Sequence, residues 1–198
     1  MRKKTVNKYE LIGLIEERWS PRAFDPEKKI ENRVVMSLLE AARWAPSAFN
    51  EQPWRFLVGH SGDPTFHKIL STLIDWNQQW AKNASLLVLN IGKKTFTRNG
   101  NKNPVFKYDV GQAVAFMLLE AQHHGIVSHE MSGFDPAKAA ETFNIPDDYQ
   151  PLSVTAFGYY GNSSDLSPEL KELEFAVRKR KNIDEIAFGK MFGECFKE

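Results

Sequence analysis

Hydrophobic and polar positions along the chain change between two spacings, which predicts helices that alternate with about four strands. Apolar residues recur at helical spacing over 30–43, 64–74 and 105–124, and more briefly over 11–18, 75–82, 136–143 and from 168 onward. Apolar runs of strand length cover 54–58, 85–91, 126–131 and 152–160. The continuously apolar run over 85–91 is typical of a central strand. Asp63 and Asp135 each precede a proline, a pattern that predicts an N-cap and the first helical residue.

One long polar segment, over 92–104, interrupts this pattern and carries four cations. We predict that it is mobile, because a loop of this length without its own apolar period is either functional or disordered. Two interpretations remain open. The segment either passes a phosphate-bearing cosubstrate or is a solvated loop.

Composition favours one globular domain. The chain has 198 residues, 42% hydrophobic and 26% charged, with a formal net charge of +1. This near-neutral balance argues against nucleic acid or a membrane surface as a partner. No apolar run reaches the roughly 18 residues of a membrane span, and the basic residues 1–4 precede no apolar signal-peptide core. Because Cys195 is the single cysteine, an internal disulfide is excluded, and we expect a cytoplasmic protein.

Several common site motifs are missing from the sequence. No GxGxxG follows a predicted strand, and neither GxxxxGK[ST] nor GxSxG occurs. His123 and His124 are adjacent and point apart on the predicted helix, which is wrong for a shared metal. The sequence therefore predicts no metal site and no nucleophilic catalytic residue.

The most distinctive loop lies between the second helix and the first strand, and it is bounded by Pro46 and Pro53. Proline fixes φ and restricts the residue before it, so the backbone here has little freedom. Ser47, Asn50 and Gln52 supply hydrogen-bonding groups on that backbone. The loop is therefore interpreted either as a site for a flat polar ligand or as an ordered turn that satisfies its own backbone.

A second polar cluster, Arg18-Trp19-Ser20-Pro21-Arg22, follows the first predicted helix. Two guanidiniums beside a hydroxyl suit a phosphate. Cations at the negative end of a helix give the same pattern without any ligand.

Three segments, taken in their order and spacing, resemble the flavin-binding elements of the nitroreductase family. They are the 18–22 cluster, the stretch 45–54, and Arg178-Lys179-Arg180. A fourth segment, His129-Glu130-Met131-Ser132-Gly133-Phe134-Asp135, looks like the family's second flavin-contacting segment. The resemblance extends over about residues 9–193.

This resemblance implies an α+β fold in three layers, with a central, mostly antiparallel sheet of four to five strands flanked by helices. It also implies an intertwined homodimer. We expect a single nitroreductase-like domain over 1–198, whose C-terminal extension, about 178–198, wraps the partner subunit. The long apolar helix over 105–124 agrees with a helix that is either deep in the core or shared between subunits.

The resemblance further implies bound FMN, with each site built from both subunits. Arg18, Ser20 and Arg22 are expected at the phosphate and polar edge, Arg178 and Arg180 at the phosphate, and Ser132 and Gly133 along the ring. The full expected set is Arg18, Trp19, Ser20, Arg22, Pro46, Ser47, Ala48, Asn50, Gln52, Asn77, Met131, Ser132, Gly133, Arg178 and Arg180, with Pro46, Ser47 and Asn50 reaching the site from the partner chain. Some members have a lysine three positions after the asparagine that matches Asn77, but this chain has Trp80. Arg22 is therefore the candidate for positive charge near flavin N1 and O2.

The implied activity is reduction of nitroaromatics, quinones or related small acceptors by NAD(P)H in a ping-pong mechanism. Flavin carries out the redox chemistry itself, which agrees with the missing catalytic motif. Two alternatives stay open: a flavin enzyme of the same fold with other chemistry, such as reductive dehalogenation or flavin cleavage, and a non-catalytic flavin-binding dimer.

Overall fold

A four-stranded antiparallel sheet forms the centre of the protein. The structure is a computed structural model that describes residue 5 and residues 7–196, so the basic residues 1–4 lie outside the described residues. The strands are β1 (Trp54–His60), β2 (Leu86–Lys93), β3 (Val127–Met131) and β4 (Tyr149–Gly158). They lie in the order β1-β2-β4-β3, and every neighbouring pair is antiparallel. The predicted central strand is therefore confirmed as β2, which pairs on both sides.

Seven helices surround this sheet in the described part of the chain. They are α1 (Gly13–Glu17), α2 (Asn32–Arg43), α3 (Pro64–Thr72), α4 (Asp75–Ala81), α5 (Phe106–His123), α6 (Pro136–Thr142) and α7 (Pro168–Phe175). Short 3-10 turns occur at Ala48–Asn50, Ser163–Asp165 and Ile183–Glu185. The predicted α+β class is confirmed.

Side-chain alternation along β2 divides the core into two layers. Leu86 and Val88 face a cluster that includes α2 and α5, whereas Leu87 and Leu89 face a cluster that includes α3, α4, α6 and α7. Successive side chains of a strand point to opposite faces, and β2 is apolar on both because both are covered. The result is the expected three-layer arrangement of helices, sheet and helices.

Both predicted aspartate caps are present. Asp63 Oδ1 accepts a hydrogen bond from Phe66 N at 2.7 Å, and Asp135 Oδ1 accepts bonds from the backbone N–H groups of Ala137 and Lys138, both at 3.0 Å. These bonds satisfy N–H groups that the first helical turn leaves without partners. They also fix where α3 and α6 begin.

The polar segment over 92–104 is packed, contrary to the prediction of a mobile loop. Thr95 and Lys102 form an antiparallel bridge, and Thr95 Oγ1 donates to Asp148 Oδ2 at 2.8 Å. Phe96 and Asn103 turn inward and are buried. The segment is therefore a short hairpin held by two buried residues, and its polar composition gives no sign of this packing.

The two ends of the chain leave apolar side chains uncovered. Helix α1 has no buried residue, and Ile12 beside it is 62% exposed. Near the other end, Val177 is 74% exposed and Phe192 95% exposed. The predicted C-terminal extension is described to residue 196 and contains an antiparallel bridge between Phe188 and Cys195. None of the helices in the described residues has the length and apolar character needed to cross a bilayer.

Candidate flavin site

Three arginines from opposite ends of the chain lie close together. Arg18 follows α1, and Arg178 and Arg180 follow α7. Burial lowers the pKa of Arg18, and the charges of Arg178 and Arg180 lower it further. The pKa of Arg178 is likewise lowered, first by burial and then by Arg180. We call Arg18, Arg178 and Arg180 the arginine cluster.

Local contacts hold two members of the arginine cluster in place. Arg18 Nη1 lies 3.4 Å from Ser20 Oγ, and Arg178 Nη1 donates to the Glu16 carbonyl at 3.2 Å. No salt bridge joins Arg18 to a carboxylate among the described residues. Like charges at close range repel, so such an arrangement favours a bound anion with several oxygens.

Arg22 makes a different set of contacts from the arginine cluster. Its guanidinium carbon is 5.9 Å from the centroid of the Trp80 ring, and its Nε is buried without a hydrogen-bond partner among the described residues. The backbone N–H groups of Arg22 and Ala23 donate to the buried carboxylate of Glu174 at 2.9 and 3.3 Å. Burial lowers the pKa of Arg22, whereas the charge of Glu174 acts to raise it.

Trp80 lies in the core and does not line an open site. It is fully buried, with ring centroids 6.1 Å from Phe24 and 4.5 Å from His129. His129 Nδ1 lies 3.0 Å from the Pro21 carbonyl. Burial lowers the pKa of His129 to about 4, although the bond to Pro21 opposes this, and the charges of Arg22 and Arg18 lower it further. Both arginines are therefore close enough to act on the His129 imidazole.

The segment after β3 meets α4. The Gly133 carbonyl accepts hydrogen bonds from Asn77 Nδ2 at 3.0 Å and from Ile74 N at 3.1 Å. A Cβ at position 133 would lie 2.7 Å from Asn77 Nδ2 and 2.8 Å from Ile74 Cδ1, so a larger residue would displace these two side chains. Ser132 is exposed, but the Met131 side chain is buried in the core. The structure thus brings Asn77, Ser132 and Gly133 together and directs Met131 away.

The loop between Pro46 and Pro53 is fixed largely by its own polar groups. Ser47 Oγ accepts from Gln52 N at 3.0 Å, and Gln52 Nε2 donates to the carbonyl and Oδ1 of Asn50 at 3.2 and 3.1 Å. Ala48 N donates to Asp109 Oδ2 at 3.1 Å. The interpretation as a self-satisfied turn is therefore correct for Ser47 and Gln52, whereas Pro46 and Asn50 remain exposed.

This loop and the arginine cluster form separate groups of contacts within one chain. No hydrogen bond or ion pair among the described residues joins the two, and the Trp19 side chain between the predicted phosphate residues is buried near Tyr160, with ring centroids 5.7 Å apart. A cleft of about 580 Å³ borders Ser132 and Glu130 from β3 and Lys107 and Gly111 from α5. This volume is in the range of small-molecule sites, but none of the three clustered arginines lines it.

Two structural residues of the site escaped the sequence prediction. Asp109 is buried on the apolar stripe of α5, three residues after Phe106, and burial raises its pKa although the Ala48 N–H opposes this. Glu174 is fully buried four residues after Leu170 on α7. In each case the signal was a carboxylate at helical spacing from a buried apolar residue.

Comparisons with known proteins show which family this chain resembles. The sequence model of the nitroreductase family matches residues 15–64 and 68–159. A crystal structure described as the oxidoreductase containing FMN is 31% identical, with a TM-score of 0.90 and 96% of each chain covered. The major NAD(P)H-flavin oxidoreductase of Aliivibrio fischeri is 31% identical over 93 residues, 46% of this chain and 43% of that protein. Iodotyrosine deiodinase of Thermotoga neapolitana is 25% identical over 190 residues, 85% of this chain and 96% of that protein.

The fold and the family match define an oxidoreductase of α+β architecture. The chain belongs to the nitroreductase family.

Proposed function

We propose that this protein is an FMN-dependent oxidoreductase that uses NAD(P)H to reduce nitroaromatics, quinones or related acceptors. The arginine cluster is the observation that carries the proposal. Three guanidiniums from distant parts of the chain are close enough that the charges of Arg178 and Arg180 help to lower the pKa of Arg18. A phosphate monoester with close to two negative charges offsets that repulsion and accepts several charge-assisted hydrogen bonds.

The residues of one chain fit the remainder of FMN as well. Ser20, beside Arg18, offers a hydroxyl at the phosphate end. Asn77 fixes the Gly133 carbonyl, so the peptide that follows Ser132 is held in one orientation. Arg22, with its buried and unpartnered Nε, is our candidate for positive charge at the polar edge of the ring. FMN supplies the hydride and electron chemistry when bound, and these residues bind and orient it.

The second half of the site comes, in this proposal, from a second copy of the chain. Asp109 and Ser47 hold the loop over 46–52 rigid, and its exposed residues Pro46 and Asn50 are available to another subunit. Uncovered apolar side chains on α1 and on the C-terminal extension support a homodimer in which that extension wraps the partner. Bound nicotinamide and acceptor then occupy the same pocket in turn, which gives ping-pong kinetics.

The test begins with the purified protein and its absorption spectrum. We expect a yellow protein, or a colourless one that takes up FMN stoichiometrically, whose colour NADH or NADPH bleaches without oxygen and a nitroaromatic or quinone restores. Initial rates at varied NADH and acceptor concentrations should give parallel double-reciprocal lines. A protein that takes up no FMN would contradict the proposal. A bound flavin that neither cosubstrate bleaches would favour the non-catalytic alternative.

Reductive dehalogenation is the second candidate, because the deiodinase of Thermotoga neapolitana aligns over 85% of this chain. The two activities are separated by offering the reduced protein a nitroaromatic and, in a parallel reaction, an iodinated phenol. Iodide release with little nitro reduction would favour dehalogenation. The reverse result would favour nitroreductase-type chemistry.

A further inference from the structure

Phe49 has an unusual backbone and an unusual exposure. Its φ is 54° and its ψ 25°, which is the left-handed region that bulky side chains rarely adopt. Its ring is 72% exposed. Burial of the ring therefore does not explain the conformation, and strain that persists in a rigid loop is a reason to look for function.

Arg98, at the tip of the hairpin over 92–104, covers part of this ring. Its guanidinium carbon lies 4.0 Å from the Phe49 ring centroid and 5.5 Å from that of Phe96. The Phe49 and Phe96 rings meet edge to face at 5.8 Å. Phe96 is buried, so it provides a fixed support on which the two exposed groups rest.

Glu51 clamps the hairpin to the loop. Its carboxylate accepts hydrogen bonds from the backbone N–H of Thr97 at 2.8 Å and from the Thr97 hydroxyl. Lys93 Nζ lies 3.7 Å from the same carboxylate and donates to Thr97 Oγ1 at 2.6 Å. The relative position of Phe49 and Arg98 is therefore fixed by a clamp that involves neither residue.

Because of the clamp, the Glu51 carboxylate does not pair with Arg98. Glu51, the carboxylate of this region, is engaged with Thr97 and Lys93, and no hydrogen bond or salt bridge joins Arg98 to another described residue. A guanidinium stacked on a ring keeps the N–H groups at its edge for a ligand. Phe49 and Arg98 thus present an aromatic face beside a planar cation.

We propose that Phe49 and Arg98 form a recognition site for a planar ring that carries an anionic group. The ring stacks on the exposed aromatic or guanidinium face, and the N–H edge of Arg98 binds the anion. The inference rests on the proposed function, because the loop that carries Phe49 is the one assigned to the flavin site of the second subunit. Two ligands share this chemistry: an aromatic acceptor with a carboxylate, and the adenine with 2′-phosphate of NADPH.

The acceptor arm of the test compares 4-nitrobenzoate with its neutral isostere 4-nitrobenzamide, both with NADH. We expect Arg98→Gln to lower the ratio of kcat/KM for the anionic over the neutral acceptor about tenfold, mainly through KM. Lys102→Gln, which removes one charge from the same hairpin, is the matched control and should leave the ratio unchanged. Added salt should reduce the ratio in the wild-type protein more than in Arg98→Gln, because exposed charges are screened.

The cosubstrate arm compares NADPH with NADH at a fixed concentration of the neutral acceptor. A fall in the NADPH preference of Arg98→Gln, with the acceptor ratio unchanged, identifies the ligand as the cosubstrate and supports the site. Phe49→Asn keeps a residue that tolerates the left-handed backbone and should raise KM for the charged and the neutral ligand alike, because it removes the stacking face that both rings use. FMN content and thermal unfolding, measured for each variant, are the checks that it is folded.

The outcomes separate this inference from the proposed function. A wild-type protein that reduces neither neutral nor anionic acceptors overturns both. If the wild-type protein reduces both acceptors, two results overturn the recognition site alone. In the first, Arg98→Gln alters neither the acceptor ratio nor the NADPH preference. In the second, Lys102→Gln changes them as much as Arg98→Gln does.

Discussion

His129 Nδ1 lies 3.0 Å from the carbonyl oxygen of Pro21, and this bond ties strand β3 to the loop that carries Arg18 and Arg22. A neutral imidazole donates here from Nδ1, since a carbonyl only accepts. Two residues further along, β3 ends and leads to Ser132 and Gly133. One imidazole therefore fixes the distance between the two segments that the proposed function places around the flavin. The Trp80 ring, 4.5 Å away, limits how the imidazole can turn.

Removal of this bond should weaken the site more than the fold. We expect His129→Ala to bind FMN about tenfold more weakly, because a buried carbonyl loses its donor. His129→Asn places an amide N–H where Nδ1 lies and should recover most of that affinity. Titration of the apoprotein with FMN, followed by flavin fluorescence, measures the difference. Equal affinities in the two variants would show that the bond does not position the loop.

The same histidine should make stability depend on pH. Its pKa is about 4 in the folded protein, against about 6.5 in an unfolded chain, so the unfolded state binds the proton first as the pH falls. The contribution is present above pH 6.5 and is lost as the pH falls towards 4. Between pH 7 and 5 the loss amounts to about 2 kcal/mol. Urea unfolding at pH 7 and at pH 5 should show this loss in the wild-type protein but not in His129→Asn. An equal loss in both proteins would contradict the prediction.

Neutralising the arginine cluster should have opposite effects with and without FMN. Arg18→Gln removes a partly buried cation that Arg178 and Arg180 repel, so the apoprotein should keep or gain stability. FMN affinity should fall about 10- to 100-fold, since a charge-assisted hydrogen bond contributes roughly 1.5–3 kcal/mol. Thermal unfolding measures both effects: Arg18→Gln should leave Tm unchanged or raise it without FMN, and should lower Tm with saturating FMN.

Arg33 on α2 provides the control for this reversal. Its side chain is 86% exposed, and Arg33→Gln should change neither the apoprotein nor FMN affinity. An apoprotein that Arg18→Gln destabilises, with FMN affinity intact, would mean that Arg18 is structural and that the phosphate lies elsewhere.

Local patterns in the sequence were sufficient for most of the fold. Asp63 and Asp135 marked helix starts because a cap and a following proline act within one turn, and β2 was recognisable because both of its faces are buried. The hairpin over 92–104 could not be recognised from local patterns, because its hydrogen bonds are made to the distant residues Glu51 and Asp148.

At the candidate site, too, local motifs could be predicted from the sequence, whereas side-chain directions and long-range contacts could not. The resemblance named Met131 and Trp19, but their side chains turn into the core, and a motif does not specify side-chain direction. Glu174 escaped notice because its partners, the N–H groups of Arg22 and Ala23, are 152 and 151 residues away. Long-range polar contacts of this kind leave no periodic trace in one sequence.

Trp80 should behave as a core residue and not as a site residue. Its Nε1 is buried without a partner among the described residues, so Trp80→Phe removes an unsatisfied donor and keeps an aromatic ring between Phe24 and His129. We expect a free energy of unfolding within about 1 kcal/mol of wild type. Trp80→Lys, which introduces the residue found in some family members, should cost several kcal/mol because the ammonium enters an apolar cluster. Urea denaturation checks both, and a stable, FMN-binding Trp80→Lys would contradict this placement.

Assembly into a dimer and flavin binding should fail together. Ile12 is 62% exposed and Phe192 95% exposed in the single chain, and burying such a side chain contributes roughly 1.5–3 kcal/mol. Each residue occurs twice in a two-fold dimer, so Ile12→Asp with Phe192→Asp should weaken association about 100-fold or more. Sedimentation velocity, recorded at protein and flavin wavelengths, should show monomers without FMN. Lys68→Glu on α3, an exposed change of charge, should remain dimeric and yellow. A wild-type monomer with one FMN per chain would contradict the shared site, because the loop over 46–52 would then have no second subunit to complete.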